Sequence, residues 1–254
     1  MLDNNVTFFR LHPIQCDGCH LSINETLGVT KLSFFQYSKI TLDDERINEI
    51  FRLRYKVYCL ECGYEDACDY INHLETDEYD RVAIHFCACE SKSEQIIGTA
   101  RIILPSPTGL PVFNYFSVDR ELLLSIEPDR VGEISRLAIS KEYRRRMVDE
   151  AIYDGDNVID LINEREKRNW RRRYENELVT GLYHCIYTES LELGLTHLYA
   201  IMSDGLSALL TRWGFVWQPI GPEVDYHGPR RPYMASIADN MHWFEQEQKK
   251  ISQC

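Results

Sequence analysis

The sequence predicts an α/β domain in which helices flank one central mixed sheet. Segments with strand patterns and segments with helical periodicity alternate along most of the 254 residues, the order expected of a layered α/β domain. Hydrophobic residues make up 44% of the chain and aromatic residues 11%, which is enough for a full core and argues against disorder. We expect one domain over residues 33–240, preceded by an N-terminal extension (1–32) and followed by a C-terminal tail (241–254).

The first predicted elements are a strand over residues 32–40 and a helix after it. Thr41 is a plausible N-cap, and acidic residues fill the first turn that follows it. Apolar residues at helical spacing continue this helix to Tyr58, and Arg54 lies on their stripe. An arginine there either covers the edge of the core with its methylene groups or serves a site inside the protein.

The rest of the domain is predicted as further strands with two helices among them. The strands cover residues 82–89, 95–104, 133–140, 196–202, 215–221 and 233–237. The helices cover residues 174–193 and 207–213. The first two of these strands are joined by a short polar turn, as in a hairpin, and Gly194 ends the longer helix.

The strand over 133–140 carries two opposite charges, Glu133 and Arg136, within an apolar run. Core strands rarely contain such residues, because an unpaired buried charge costs several kcal/mol. Either the two residues belong to a structural ion network, or they face a site where a substrate needs them. The residues alone leave both alternatives open.

Four charged motifs follow one another in an order that resembles the acyl-homoserine-lactone synthases. They are an arginine with an aromatic residue four positions later, two aspartates three apart, an arginine on the next strand, and Glu-x-x-Arg. The matching positions are Arg54, Tyr58, Asp77, Asp80, Arg101, Glu133 and Arg136. The tryptophan expected shortly after Tyr58 is missing from Cys59–Glu65. The segment Asp225–Tyr233 is similar to a sister group, the N-acyl amino acid synthases and the acyltransferases associated with PEP-CTERM/exosortase systems.

The resemblance implies a GNAT-type fold with a mostly antiparallel sheet, in an enzyme that moves an acyl chain from a pantetheine thioester to an amine. It makes Glu133 the general base, and we expect Arg136 and Arg101 to hold the carboxylate of the acceptor. Arg54, Asp77 and Asp80 are expected to form an ion network over the acyl-pantetheine, with both carboxylates paired to Arg54 or Arg101. Tyr58 is assigned to substrate binding on the same grounds.

Three functions remain open on this basis. The first is an N-acyltransferase that uses an amino acid or a related small amine as acceptor. The alternatives are an acyl-homoserine-lactone (autoinducer) synthase and a GNAT-like binding module without catalytic activity. A thioester cosubstrate is needed in either enzyme, but no bound cofactor and no metal.

A basic segment stands out in a chain whose net charge is −12. It comprises a turn at Arg144, Arg145 and Arg146 and a predicted helical insertion (147–173) that ends in Arg171, Arg172 and Arg173. The glycine-rich loop that cradles the coenzyme A pyrophosphate in many GNAT enzymes is missing after the turn. We therefore expect these arginines to bind an acidic acyl carrier protein rather than coenzyme A, the alternative being a solvated charged helix.

The nine cysteines and the absence of a secretion signal favour free thiols in a cytoplasmic protein. An alternative is a four-sulfur zinc site made by Cys16, Cys19, Cys59 and Cys62. We assign no metal to the mechanism. The acidic net charge argues against a nucleic-acid partner, and no apolar run is long enough for an integral membrane segment.

Overall fold

The structure is a computed structural model that describes residues 35–91, 93–143 and 164–252, without the side chains of 164–174 and 246–252. Its sheet has the strand order β1-β2-β3-β4-β5-β8-β6, and β7 pairs with β8. Only β4 and β5 run parallel among the pairs described, so the sheet is mixed and mostly antiparallel, as predicted. The strands are β1 (Phe35–Ile40), β2 (Ala83–Glu90), β3 (Ile96–Ile103), β4 (Val131–Ile139), β5 (His197–Met202), β6 (Gln218–Pro219), β7 (Val224–Asp225) and β8 (Pro229–Ser236).

Helices cover both faces of this sheet. They are α1 (Ile47–Tyr55), α2 (Pro111–Tyr115), α3 (Glu164–Glu192), α4 (Asp204–Arg212) and α5 (Ile237–Ser252), with a π-helical turn over Lys56–Glu61 and 3-10 turns over Ala67–Asp69, Glu78–Val82 and Glu121–Leu123. Side chains of α3, α4 and α5 form the core on one face, and those of α1 form a second core on the other. Phe86 faces the first core and Cys87 the second, because successive strand residues point to opposite faces.

Three predicted boundaries are corrected by the structure. Helix α1 begins at Ile47, not after Thr41, because the Asp44 carboxylate accepts the Arg46 N–H at 2.7 Å and holds the intervening residues in turns. Residues 241–254 are not a simple tail, since α5 continues to Ser252 and buries Trp243 and Phe244 in the core. The described part of the predicted insertion, from Glu164 onward, is the beginning of α3.

The feature of the fold that positions the site is the divergence of β4 from β5. Their parallel pairing ends at Ile134 and Ala200, while both strands continue. The two strands therefore separate and leave an opening in the middle of the sheet. In the described part of the chain, no helix is long and apolar enough to cross a membrane.

Candidate active site

A cavity of about 420 Å³ lies where β4 and β5 separate. One part of its wall is polar and includes Asp77, Arg101, Glu133 and Arg136 from the α1 side of the sheet. The wall on the α3 side is largely apolar and is formed by Ile134, Tyr183, Ala200, Met202 and Leu206. The cavity thus joins a charged compartment to an apolar one through the gap in the sheet.

A β-bulge in β4 gives the cavity its charged wall. Ser135 pairs with Arg101 and Ala138 with Thr99, so β4 has one residue more than β3 across this interval. Arg136 takes up the extra residue with φ of 51°, in the left-handed region that non-glycine residues seldom occupy. In a regular strand, residues three apart point to opposite faces. The bulge instead brings Arg136 to the cavity face that also carries Glu133.

Arg54 is fully buried and holds two acidic residues together. Its Nε donates to the Glu75 carboxylate, and Nη1 and Nη2 donate to the two oxygens of Asp80 at 2.6 and 3.3 Å. Burial disfavours the ionised form of Asp80, but the neighbouring arginines Arg54 and Arg101 outweigh it and lower the pKa to about 2. The expected ion pair of Asp80 is confirmed.

Arg101 extends the same network from β3. Its Nη1 and Nη2 donate to the two oxygens of Asp77, each at 2.7 Å, its Nη1 also donates to Asp80, and its Nε donates to the Ser135 hydroxyl at 2.8 Å. The expected ion pair of Asp77 is therefore confirmed. The Asp-x-x-Asp spacing has a local cause as well, because both carboxylates cap the start of the 3-10 turn. The Asp77 carboxylate accepts the Tyr79 N–H, and the Asp80 carboxylate accepts the Asp77 N–H.

Arg136 completes the network on the cavity side. Its guanidinium lies 2.9 Å from Glu75, 3.0 Å from Asp77 and 3.5 Å from Glu65. We call Arg54, Arg101, Arg136, Glu75, Asp77 and Asp80 the arginine–carboxylate network. These three positive and three negative side chains balance one another, and Glu65, 3.5 Å from Arg136, adds a further negative charge on the cavity wall. Two arginines expected to hold an acceptor carboxylate, Arg101 and Arg136, are thus already paired with carboxylates of the protein.

Glu133 has a different environment from Arg136. Its Oε2 accepts the Val112 N–H at 2.8 Å, and no cationic side chain of the described residues forms an ion pair with it. The residue is 1% exposed, and this burial raises the pKa of its carboxyl to about 8, although Val112 and Arg101 act in the opposite direction. A carboxyl group that lines a cavity and titrates near neutral pH has the properties of a general base.

Tyr58 connects the π-helical turn to the bulge. Its hydroxyl donates to the Leu137 carbonyl at 3.0 Å, and the Arg136 guanidinium lies 5.4 Å from its ring centroid. Burial raises the pKa of Tyr58 to about 12, so its hydroxyl remains a donor. Tyr58 lines the cavity, and its contacts hold the bulged segment in place.

The hairpin of β7 and β8 forms one side of the cavity mouth. His227 and Gly228 make its turn with φ of 55° and 93°. The Tyr226 ring packs against Phe116 at 5.6 Å, and the His227 ring lies 6.2 Å from that of Tyr64. Since Tyr226, His227 and Arg230 all line the cavity, the segment Asp225–Tyr233, whose sequence resembles the sister group, contributes to the site.

Sequence reasoning missed several cavity and network residues. Glu75 bridges Arg54 and Arg136, although only the aspartates after it were assigned a role. Tyr183 of α3 lines the apolar compartment, and burial raises the pKa of its phenol. The run of acidic residues around Asp77 was a signal for Glu75, whereas nothing local distinguishes Tyr183 from a core residue.

Several expectations lie outside the described residues. Arg144, Arg145 and Arg146 are not described, and of Arg171, Arg172 and Arg173 only the helical backbone is. Cys16 and Cys19 are not described either, so the four-sulfur site remains a prediction. Cys59 and Cys62 are free thiols, and no cluster suited to a metal ion occurs in the described segments.

Comparisons with known proteins agree on the fold. A family model described as an acetyltransferase (GNAT) domain matches residues 53–154, while no curated protein matches the chain. The acyl-homoserine lactone synthase LasI superposes with a TM-score of 0.51 and 18% identity, covering 80% of this chain and 89% of its own. BjaI, a CoA-dependent acyl-homoserine lactone synthase solved with SAM and isopentyl-CoA, superposes with a TM-score of 0.57 and 15% identity, covering 84% of this chain and 87% of its own. FeeM, an N-acyl amino acid synthase from uncultured soil microbes, superposes with a TM-score of 0.51 and 13% identity, covering 82% of this chain and 92% of its own. The chain has a GNAT-type α/β fold, as predicted.

Proposed function

We propose that the protein is an N-acyltransferase that moves a fatty acyl chain from acyl carrier protein to the amine of an amino acid or related small amine. The observation that carries this proposal is Glu133, a buried carboxyl without an ion-pair partner among the described residues, whose pKa is raised to about 8 at a cavity with one charged and one apolar compartment. The GNAT-type fold and its acyl-homoserine-lactone and N-acyl amino acid synthase neighbours support the same class of reaction. Fold alone does not define an activity, so the site provides the main argument.

The proposed reaction begins with the acceptor as an ammonium ion. Glu133, as carboxylate, accepts one proton, and the free amine attacks the thioester carbonyl. The new N–C bond forms as the C–S bond breaks, and the pantetheine thiolate leaves and takes up a proton. Backbone N–H groups near the bulge, around Leu137–Ile139, are our candidates to stabilise the oxyanion.

The apolar compartment supports a fatty acyl donor. Ile134, Ala200, Met202 and Leu206 present apolar surface beyond the gap in the sheet, so an acyl chain placed there would be removed from water. The thioester would then lie at the gap, between that compartment and Glu133. The ion pairs of Arg54 with Glu75 and Asp80 hold the charged wall of the cavity in place, which would keep Glu133 and the acceptor aligned.

The proposal is tested by incubating the purified protein with acyl carrier protein charged with acyl chains of several lengths and a mixture of amino acids. Mass spectrometry should detect N-acyl amino acids, and Glu133→Gln should abolish most of their formation. The acyl-homoserine-lactone synthase is the second candidate, because solved structures of that class superpose on most of the chain. Adding SAM to the same assay distinguishes the two, since a homoserine-lactone product would replace the linear N-acyl amino acid. The absence of any acyl product would favour a non-catalytic binding module.

Acyl carrier protein as donor rests on the basic sequence at Arg144–Arg146 and Arg171–Arg173. Attraction between a basic surface and an acidic carrier weakens as salt screens it. We expect kcat/KM to be much higher with acyl carrier protein than with the matching acyl coenzyme A at low salt, and the difference to shrink towards molar salt. Reversing Arg171, Arg172 and Arg173 to Glu should remove it. The matched control replaces three exposed arginines, Arg120, Arg130 and Arg212, by Glu and should leave the difference unchanged. Equal kcat/KM with both donors in the wild type would contradict the assignment of acyl carrier protein as donor.

A further inference from the structure

One arginine of the cavity wall, Arg230, is not part of the arginine–carboxylate network. Among the described residues, three arginines line the cavity, and two of them, Arg101 and Arg136, pair with the buried carboxylates of Asp80 and Glu75. Arg230 donates through Nη1 to the Pro229 carbonyl at 2.9 Å and forms no ion pair with any carboxylate of the described residues. It is therefore a cavity-lining cation with its charge available to a ligand.

A ligand carboxylate would bind less readily to either of the other two arginines. At Arg136 it would have to displace Glu75 or Asp77, and at Arg101 it would have to displace Asp77. Leaving a buried carboxylate without its cationic partner is strongly destabilising. At Arg230, no carboxylate of the described residues has to be displaced, so an anion that enters the cavity gains the interaction with the guanidinium without that loss.

The position of Arg230 is also fixed. Its guanidinium lies 5.4 Å from the centroid of the Tyr64 ring, a cation–π contact, and its backbone lies in the ladder between β7 and β8 through the Val224 pair. The hairpin itself is held at the mouth by the ring of Tyr226 against Phe116. A guanidinium held in this way loses little conformational freedom when it binds a planar carboxylate through two N–H groups.

We propose that Arg230 binds the carboxylate of the acceptor, and that the acceptor is therefore an amine that carries a carboxylate, such as an α-amino acid. This inference rests on the proposed function, because it assigns the substrate class of the same cavity. It moves the carboxylate-binding role from Arg136 and Arg101 to a residue of the β7–β8 hairpin. The acceptor would be recognised at the cavity mouth, with its amine directed towards Glu133.

Binding is measured first, since it does not require turnover. Each standard amino acid is titrated calorimetrically into the full-length protein beside the amine that it gives on decarboxylation, for example L-leucine beside 3-methylbutylamine. The wild type should bind at least one amino acid about 10- to 100-fold more tightly than its amine, the range expected of a charge-assisted bidentate contact. Arg230→Gln should remove this preference, and Arg230→Lys should restore only part of it.

The control is Arg120→Gln, which removes the same charge from an exposed position outside the cavity and should leave the preference intact. In the acylation assay, Arg230→Gln should raise KM for the amino acid with little change in kcat, and should not affect its decarboxylated amine. A wild type without carboxylate preference, or equal losses for both ligands, would overturn the inference. Failure of the proposed function looks different, because carboxylate-dependent binding would then persist without acyl transfer.

Discussion

Substituting Glu133 by Gln separates its chemical role from a structural one. The amide keeps the shape of the side chain and an oxygen that can accept the Val112 N–H, which lies 2.8 Å from Oε2 in the native protein. It cannot accept a proton from an ammonium ion at neutral pH. If Glu133 is the base, turnover should fall by ~10²-fold or more, in line with the loss of a general base.

The pH dependence follows from the pKa of about 8. Only the carboxylate form acts as a base, and at pH 7 roughly a tenth of the molecules carry it. The acidic limb of kcat/KM in the wild type should therefore have its midpoint near pH 8, where burial places the Glu133 carboxyl. The residual activity of Glu133→Gln should lack this limb.

Stability should change in the opposite direction to activity. Folding raises the pKa of Glu133 from about 4.5 to about 8, so between these values the unfolded chain binds fewer protons than the folded protein. Stability is then lost as pH rises through this range, by about 1.4 kcal/mol per pH unit. Relative to Glu133→Gln, the wild type should lose about 2 kcal/mol between pH 6 and pH 8. Urea denaturation of both proteins at the two pH values measures this difference.

Two results would refute the assignment of Glu133. One is a Glu133→Gln protein that retains near-full turnover but unfolds at much lower urea concentration, which would make the residue structural. The other is a stability difference that does not change between pH 6 and pH 8, because the carboxyl would then titrate at its ordinary value. Circular dichroism of each sample confirms that the compared proteins are folded.

The remaining predictions concern the buried charges. Arg54→Met should lower the free energy of unfolding, measured by urea denaturation, by about 3–5 kcal/mol, because it leaves Glu75 and Asp80 buried with fewer partners. The control Arg52→Met changes an exposed residue of the same helix and should stay within about 0.5 kcal/mol of the wild type. Similar losses in both variants would refute the role of the network. His85 is buried with no hydrogen-bond partner for either ring nitrogen among the described residues, and burial lowers its pKa to about 4, so stability should fall as pH drops from about 6.5 to about 4. His85→Phe should reduce this acid-induced loss by about 3 kcal/mol, and an unchanged acid transition would contradict the depressed pKa.

Local patterns explain which parts of the fold and site could be predicted. The hairpin of β2 and β3 follows from two apolar runs and a polar turn. The ion pairs of Asp77 and Asp80 were expected from the resemblance of their motif to the acyl-homoserine-lactone synthases. The contacts of Arg136 could not be derived in this way, since the bulge that redirects it depends on the pairing of β4 with β3. The start of α1 was wrong because the side chain of Asp44 closes a local turn that competes with the helix.

The distribution of charge around the cavity links the two proposals. The six side chains of the arginine–carboxylate network balance one another in charge, and their ion pairs leave Arg101 and Arg136 little charge to offer a ligand. The buried carboxyl of Glu133 and the guanidinium of Arg230 form no ion pair with the described residues. Their charges are opposite when Glu133 is ionised, and an amino acid carries an ammonium and a carboxylate to match them. A zwitterionic acceptor would satisfy both, and its ammonium would favour the ionised form of Glu133 that the reaction requires.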